Sequence, residues 1–128
     1  MHYEIITNPV SGSGKGQQIS RKVQQSLHQK RLSFHINVSH HAGQPRQIAQ
    51  QFARQSLTNT CIIVIGGDGT LHEVIDGLLN THQKSPLPVA YIPAGTGNDF
   101  ARGYGISRKP LIALQQILDA HHLHWINV

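Results

Sequence analysis

Residues 61–80 read CIIVIGGDGTLHEVIDGLLN, and the way this stretch breaks decides the fold. CIIVI (61–65) is continuous and rich in β-branched residues, the mark of a strand buried on both faces of a parallel sheet. GGDGT (66–70) follows as a glycine-rich turn, and LHEVIDGLLN then reads as a helix. A buried strand, a tight turn and a helix make the first half of a βαβ unit. The two leading glycines permit close backbone approach. Asp68 is thereby set among backbone N–H groups at a helix start. Thr70 stands where a helix cap would, with Glu73 three residues on at capping-box distance. Asp68 is then either a turn former or a carboxylate placed for magnesium or a substrate hydroxyl in phosphoryl transfer.

The same alternation extends in both directions. YEII (3–6) is a buried strand, and residues 17–32 carry Ile19, Val23 and Leu27 at a spacing of four, an amphipathic helix. SFHINVS (33–39) alternates Phe34, Ile36 and Val38 with polar neighbours, a second strand nearer an edge. Residues 46–55 form a short helix with Ile48, Ala49 and Phe52 inward. VAYI (89–92) is a fourth strand, PAGTGNDF (93–100) a loop, residues 111–121 a last helix, and HWINV the start of another strand. Strands alternating with helices predict an α/β chain of three layers, α/β/α. Its sheet is mostly parallel, a Rossmann-like or phosphofructokinase-like nucleotide-binding domain.

Three glycine-rich loops, at 8–16, 66–70 and 93–98, each follow the carboxyl end of a strand, the edge where open parallel sheets bind ligands. The first, NPVSGSGKG, is not a Walker P-loop. If Gly14 and Lys15 were its GK pair, the leading glycine would fall on Pro9, and Gly16 offers no hydroxyl to a metal. Small residues ahead of a helix N-terminus still suit an anion. Lys15 itself reads as a solvated basic residue.

With 128 residues the chain is one domain, long enough to bury a core. The net charge of +5 either draws an anionic partner or only keeps the surface soluble. Cys61 is the sole cysteine, so no intrachain disulfide forms, and it reads as a core residue of a protein in a reducing compartment. There is no leader-like segment and no apolar run near the roughly 20 residues of a membrane helix, so a cytoplasmic location is expected. Of the ten histidines, the clusters His40–His41 and His121–His122–x–His124 lack partners at metal-site spacing and read as solvated surface. The few aromatics are not interleaved with Lys and Arg, so no nucleic acid is expected as a partner.

NPVSGSGKG, GGDGTLHEVIDGLL and PAGTGNDFAR, in this order and spacing, resemble the three signature blocks of the diacylglycerol-kinase-type lipid kinases across essentially the whole chain. GGDGT alone is shared with NAD kinases and phosphofructokinases, whereas PAGTGNDFAR after LHEV-x-x-G is the more specific block. The resemblance implies transfer of the γ-phosphoryl of ATP, with Mg2+, to a lipid hydroxyl such as that of diacylglycerol. It implies that Asn8, Pro9, Val10, Ser11 and Gly12 border ATP and that Ser39 touches the nucleotide. Gly66, Gly67, Asp68, Gly69, Thr70, Leu71, His72 and Glu73 would cradle phosphates, joined by Gly95, Thr96 and Asn98. Asp68 and Asp99 would be the catalytic and metal-organising carboxylates, Asp68 serving either magnesium or the acceptor hydroxyl.

Three departures from the family pattern stand out. Asp76-Gly77 replaces Asn-Gly, Gly43-Gln44-Pro45 replaces Gly-Asp-Ala, and Asn127 stands where an aspartate is common. Members of the family continue into a second, β-rich domain that binds the acyl chains. The chain is thus expected to be the nucleotide-binding half, inactive alone, meeting its lipid at an anionic membrane surface through that second domain. An NAD kinase-like enzyme and a non-catalytic nucleotide-sensing module are the alternatives. Neither the acceptor lipid nor the oligomeric state is legible.

Overall fold

The computed structural model describes residues 1–55, 57–79, 87–94, 99–119 and 126–127. Its strands are β1 (His2–Thr7), β2 (Ser33–Val38), β3 (Thr60–Gly66), β4 (Pro88–Pro93) and β5 (Ile126–Asn127). Its helices are α1 (Ser11–Gln29), α2 (Gln44–Arg54), α3 (Asp68–Leu79), α4 (Asp99–Gly103) and α5 (Pro110–Asp119). The strands form one sheet in the order β2-β1-β3-β4-β5, with the first four parallel. The two-residue β5 pairs antiparallel with β4, Val89 opposite Ile126. The sheet is therefore mostly parallel, as the alternating pattern predicts.

Every residue of β3 is buried, which explains its unbroken apolar run: both its faces are covered by helices. On one face Ile19, Val23 and Leu27 of α1 and Ala113, Leu114 and Ile117 of α5 pack on Ile5, Ile63 and Ile92. On the other, Ala49 and Phe52 of α2 and Val74 and Leu78 of α3 pack on Ile6, Ile62, Val64 and Tyr91. Three layers result. Cys61 is fully buried in the first core, and burial pushes its thiol pKa far up, so it remains an un-ionised apolar side chain. β2 has no buried residue and lies at the sheet edge, as its polar alternation predicts.

Three details depart from the sequence reading. α3 starts at Asp68 rather than after Thr70, so Thr70 lies inside the helix and does not cap it. Asp99 and Phe100, read as the end of a loop, open the short helix α4 (Asp99–Gly103). The loop at 8–16 is joined to the following helix through Gly12, Ser13 and Gly14, whose φ angles of 59°, 60° and 96° break α1 before its regular turns begin. The expected ends of the third and last long helices, at Asn80 and His121, lie outside the described residues.

At Asp76-Gly77 the departure is Asp76 alone, and the glycine that the family pattern shares has a packing reason. Where α2 crosses α3, a Cβ on Gly77 would sit 2.4 Å from the Arg46 carbonyl oxygen and 3.0 Å from the Ala49 Cβ. Next to it, Arg46 Nε and Asp76 Oδ2 form an ion pair of 2.6 Å. Both partners are substantially exposed, so this pair contributes at most about 1 kcal/mol, and the close crossing matters more. At a helix interior Gly→Ala ordinarily gains up to about 1 kcal/mol. Overpacking against backbone costs about 1–3 kcal/mol, so Gly77→Ala is expected to destabilise. Urea unfolding checks the sign; a stabilised variant would mean that α2 and α3 do not approach this closely.

At the same sheet, Glu4 accepts from His2 Nε2 at 2.8 Å, Asn37 Nδ2 at 3.0 Å and His35 Nδ1 at 3.1 Å. Partial burial works against its ionised form, but these hydrogen bonds outweigh it and hold the carboxyl below the ordinary 4.5. A lowered carboxyl pKa stabilises the fold in full above the unfolded value, and that stabilisation drains as pH falls through the folded one. Wild type is therefore expected to lose stability below about pH 4.5 faster than Glu4→Gln, measured as melting temperature against pH. Parallel curves would contradict the assignment.

Candidate functional site

The strand order reverses beside β1. The chain runs from β1 outward to β2, then returns across the sheet to β3, which pairs with the other side of β1. With α1 on one face and α3 on the other, the turns after β1 and β3 part, leaving a crevice at the carboxyl edge where ligands of open α/β sheets bind.

Backbone hydrogen bonds extend the ladders past the strand ends and fix these turns side by side. Asn8 N–H donates to the Ile65 carbonyl at 2.9 Å, Ser39 N–H to Thr7 at 2.9 Å, and Ala94 N–H to Gly66 at 2.7 Å. The first turn is close-fitted by its glycines. A Cβ on Gly16 would meet the Asn8 carbonyl oxygen at 2.1 Å, and one on Gly12 would meet that of Ala94 at the same distance. Within the turn, Asn8 Oδ1 accepts from Val10 N–H at 3.3 Å. The Asn8 amide reaches Thr70 Oγ1 at 3.5 Å, spanning the first and second turns.

The result is a cavity of about 320 Å³, lined by Asn8, Val10, Ser39, Gly69, Thr70 and Glu73 together with the loop after β2. Its volume falls in the range of small-ligand sites, roughly 300–1,000 Å³. The loop after β2 is latched to α3: Glu73 Oε1 accepts the Gly43 N–H at 2.7 Å. Gly43 holds a φ of 87°, and Pro45 follows in the first turn of α2, where a missing N–H costs nothing. Gln44 turns back to accept the His40 N–H through its side chain, so the Gly-Gln-Pro variant builds its own loop closure.

Asp68 is half-buried in the first turn of α3, where the helix dipole favours a negative charge. Tyr91 of β4 reaches it, the phenol oxygen lying 3.0 Å from Asp68 Oδ1 and 3.1 Å from the Gly66 carbonyl oxygen. Burial, with the carboxylate adding to it, pushes the Tyr91 phenol pKa well above its ordinary value, so the group stays protonated and donates.

Most of the residues singled out in the sequence thus meet at one edge. Asn8, Val10, Ser39, Gly69, Thr70 and Glu73 share the cavity; Pro9, Ser11 and Gly12 belong to the turn beside it; Gly66, Gly67 and Asp68 precede Gly69 in the turn after β3 and do not line the cavity. Two residues differ from expectation. Leu71 is 2% exposed in the core against Val74 and Leu78, so its side chain anchors α3 and cradles nothing. His72 is exposed on the same helix and does not line the cavity. Gly95, Thr96 and Asn98 lie outside the described residues; Asp99 opens α4, its side chain outside the described set. His40 and His41, read as surface, are exposed but also border the cavity. No group of three metal-ligating side chains occurs among the described residues, and no described helix is long and apolar enough to cross a membrane.

The fold is a doubly wound α/β domain with a cavity of small-ligand size at its topological switch point. The diacylglycerol kinase catalytic domain family matches residues 2–126, and the chain belongs to that family. It is 35% identical over 108 residues to a diacylglycerol kinase of Bacillus subtilis, covering 84% of this chain and 34% of the relative. It is 32% identical over 117 residues to sphingosine kinase B of Dictyostelium discoideum, covering 89% and 15%. A solved diacylglycerol kinase structure from Bacillus anthracis superposes with a TM-score of 0.73 at 29% identity, over 94% of this chain and 42% of that one. The chain therefore spans about a third of the length of the Bacillus subtilis relative.

The latch between Glu73 and Gly43 can be checked directly. Glu73→Ala removes the acceptor, and the Gly43 amide is expected to exchange with solvent at least tenfold faster, the equivalent of about 1.4 kcal/mol. Glu73→Gln keeps an oxygen in place and is expected to retain most of the protection. Equal exchange in all three proteins would contradict the latch.

Proposed function

We propose that this chain supplies the nucleotide-binding half of an enzyme that uses ATP to phosphorylate the hydroxyl of a lipid, diacylglycerol or a related molecule. The observation that carries the reading is the crevice between the β1 and β3 turns, where Asn8, Ser39, Thr70 and Glu73 share one cavity beside Asp68. The kinases among its relatives, acting on diacylglycerol and on sphingosine by their names, support a lipid acceptor. The remainder of such a protein would hold the acyl chains and bring the crevice to an anionic membrane surface.

The donor set suits a hard cation. Asp68 offers carboxylate oxygen at a half-buried position on the crevice rim, the kind of ligand Mg2+ takes. Magnesium bound there would neutralise charge on the transferring phosphoryl group. The chain's own residues do the positioning: Asn8, Ser39 and Thr70 offer hydrogen-bonding groups along the cavity, and Glu73 holds the loop after β2 in place. Asp68 holds the cation or orients the acceptor hydroxyl, and Asp99 serves as a second carboxylate.

Calorimetric titration with Mg·ATP, paired with transfer of labelled phosphate to diacylglycerol and sphingosine vesicles by the intact protein, tests the reading. Saturable binding is expected, with transfer reduced by roughly two orders of magnitude or more in Asp68→Asn. Absence of nucleotide binding, or transfer untouched by Asp68→Asn, would overturn it.

A further inference from the structure

We propose that Tyr91 is a positioning residue for Asp68, fixing the carboxylate at the crevice rim by a hydrogen bond from the neighbouring strand. The inference deepens the proposed reading of Asp68 and rests on it for its functional meaning. Tyr91 is 1% exposed and packs in the core between the sheet and α3 with Ile62, Val64 and Leu71. An aliphatic side chain would serve that core equally well; a buried tyrosine needs a partner for its hydroxyl. Here the partners are the Asp68 carboxylate and the Gly66 carbonyl, the two ends of the β3–α3 turn. The phenol therefore ties the rotamer of Asp68 to the rigid sheet, not to the mobile freedom of a turn. A carboxylate pre-set in this way loses less entropy when a cation or a substrate hydroxyl arrives.

The neighbourhood also makes the substitution clean. The Gly66 carbonyl oxygen accepts Ala94 N–H at 2.7 Å in addition to the phenol, so it remains partnered when the hydroxyl is removed. Phenylalanine fills the same volume. Tyr91→Phe thus removes the hydroxyl and its tie to Asp68 while the ring keeps its place in the core.

In the intact protein, Tyr91→Phe is expected to lower kcat by roughly ten- to a hundredfold, the range for a lost hydrogen bond to a charged group. The Mg2+ concentration for half-maximal rate is expected to rise. KM for ATP should remain within about twofold and the melting temperature within a few degrees. A rate loss that only tracks loss of folded protein, at unchanged Mg2+ requirement, would overturn the proposal, as would no change at all. A double-mutant cycle of Tyr91→Phe with Asp68→Ala, read by urea unfolding, separates the two layers of argument. Non-additive effects support the tie even if the protein phosphorylates no lipid, in which case only the kinase reading fails. Additive effects overturn the tie whatever the activity.

Discussion

The Gly66 carbonyl oxygen is the point on which the carboxyl edge is built. It takes the Ala94 N–H, which extends β4 one residue beyond its strand, and lies within reach of the single Tyr91 hydroxyl proton that it shares with Asp68. Gly12 in turn seats its Cα against the Ala94 carbonyl. The turns after β1 and β3 and the end of β4 at Ala94 are therefore stitched together through their backbones. That explains why small residues gather there: a Cβ at Gly12 or Gly16 would occupy the position of a carbonyl oxygen. Their placement is a packing requirement before it is a ligand-binding one.

Around that edge the chemistry divides by element. Between Cys61 and Ile65 in β3, and in β4 apart from Tyr91, the buried side chains are apolar and hold two helix layers in place. Polar function begins only past the strand ends, at Asn8, Ser39 and Asp68. Tyr91 differs: it is buried within β4, yet its hydroxyl reaches Asp68 at the edge from below. A rigid sheet carrying functional groups on its turns is the general arrangement of doubly wound domains. In this one the sheet also reaches into the turn through a phenol.

Much of this was legible in the sequence, for identifiable reasons. CIIVI bears the mark of a strand covered on both sides, and SFHINV, alternating polar and apolar, that of one nearer an edge; they are the central and the edge strand. The glycine-rich loops after β1 and β3 pointed to the crevice because a parallel sheet places every strand's carboxyl end on one edge. Legibility failed where the deciding contact was distant or the element short. α4 has only five residues, DFARG, too few to show a period. The start of α3 was misplaced by reading Thr70 as a cap. Had Leu71, Val74 and Leu78 been counted as one apolar stripe with period 3.6, the core role of Leu71 would have followed. Tyr91 looked like any residue of a buried strand, because its partners lie 23 and 25 positions away. The departures at Gln44 and Asp76 likewise acquire meaning only from His40 and Arg46.

The most direct test of the account is to map where Mg·ATP binds, by following backbone amide resonances during a titration. The largest shifts are expected at Val10, Ser39, Gly67 and Gly69, which face or flank the crevice beside the β1–β3 switch point. Shifts confined to the opposite end of the sheet, around His2, Glu4 and His35, would contradict it and move the site to another surface.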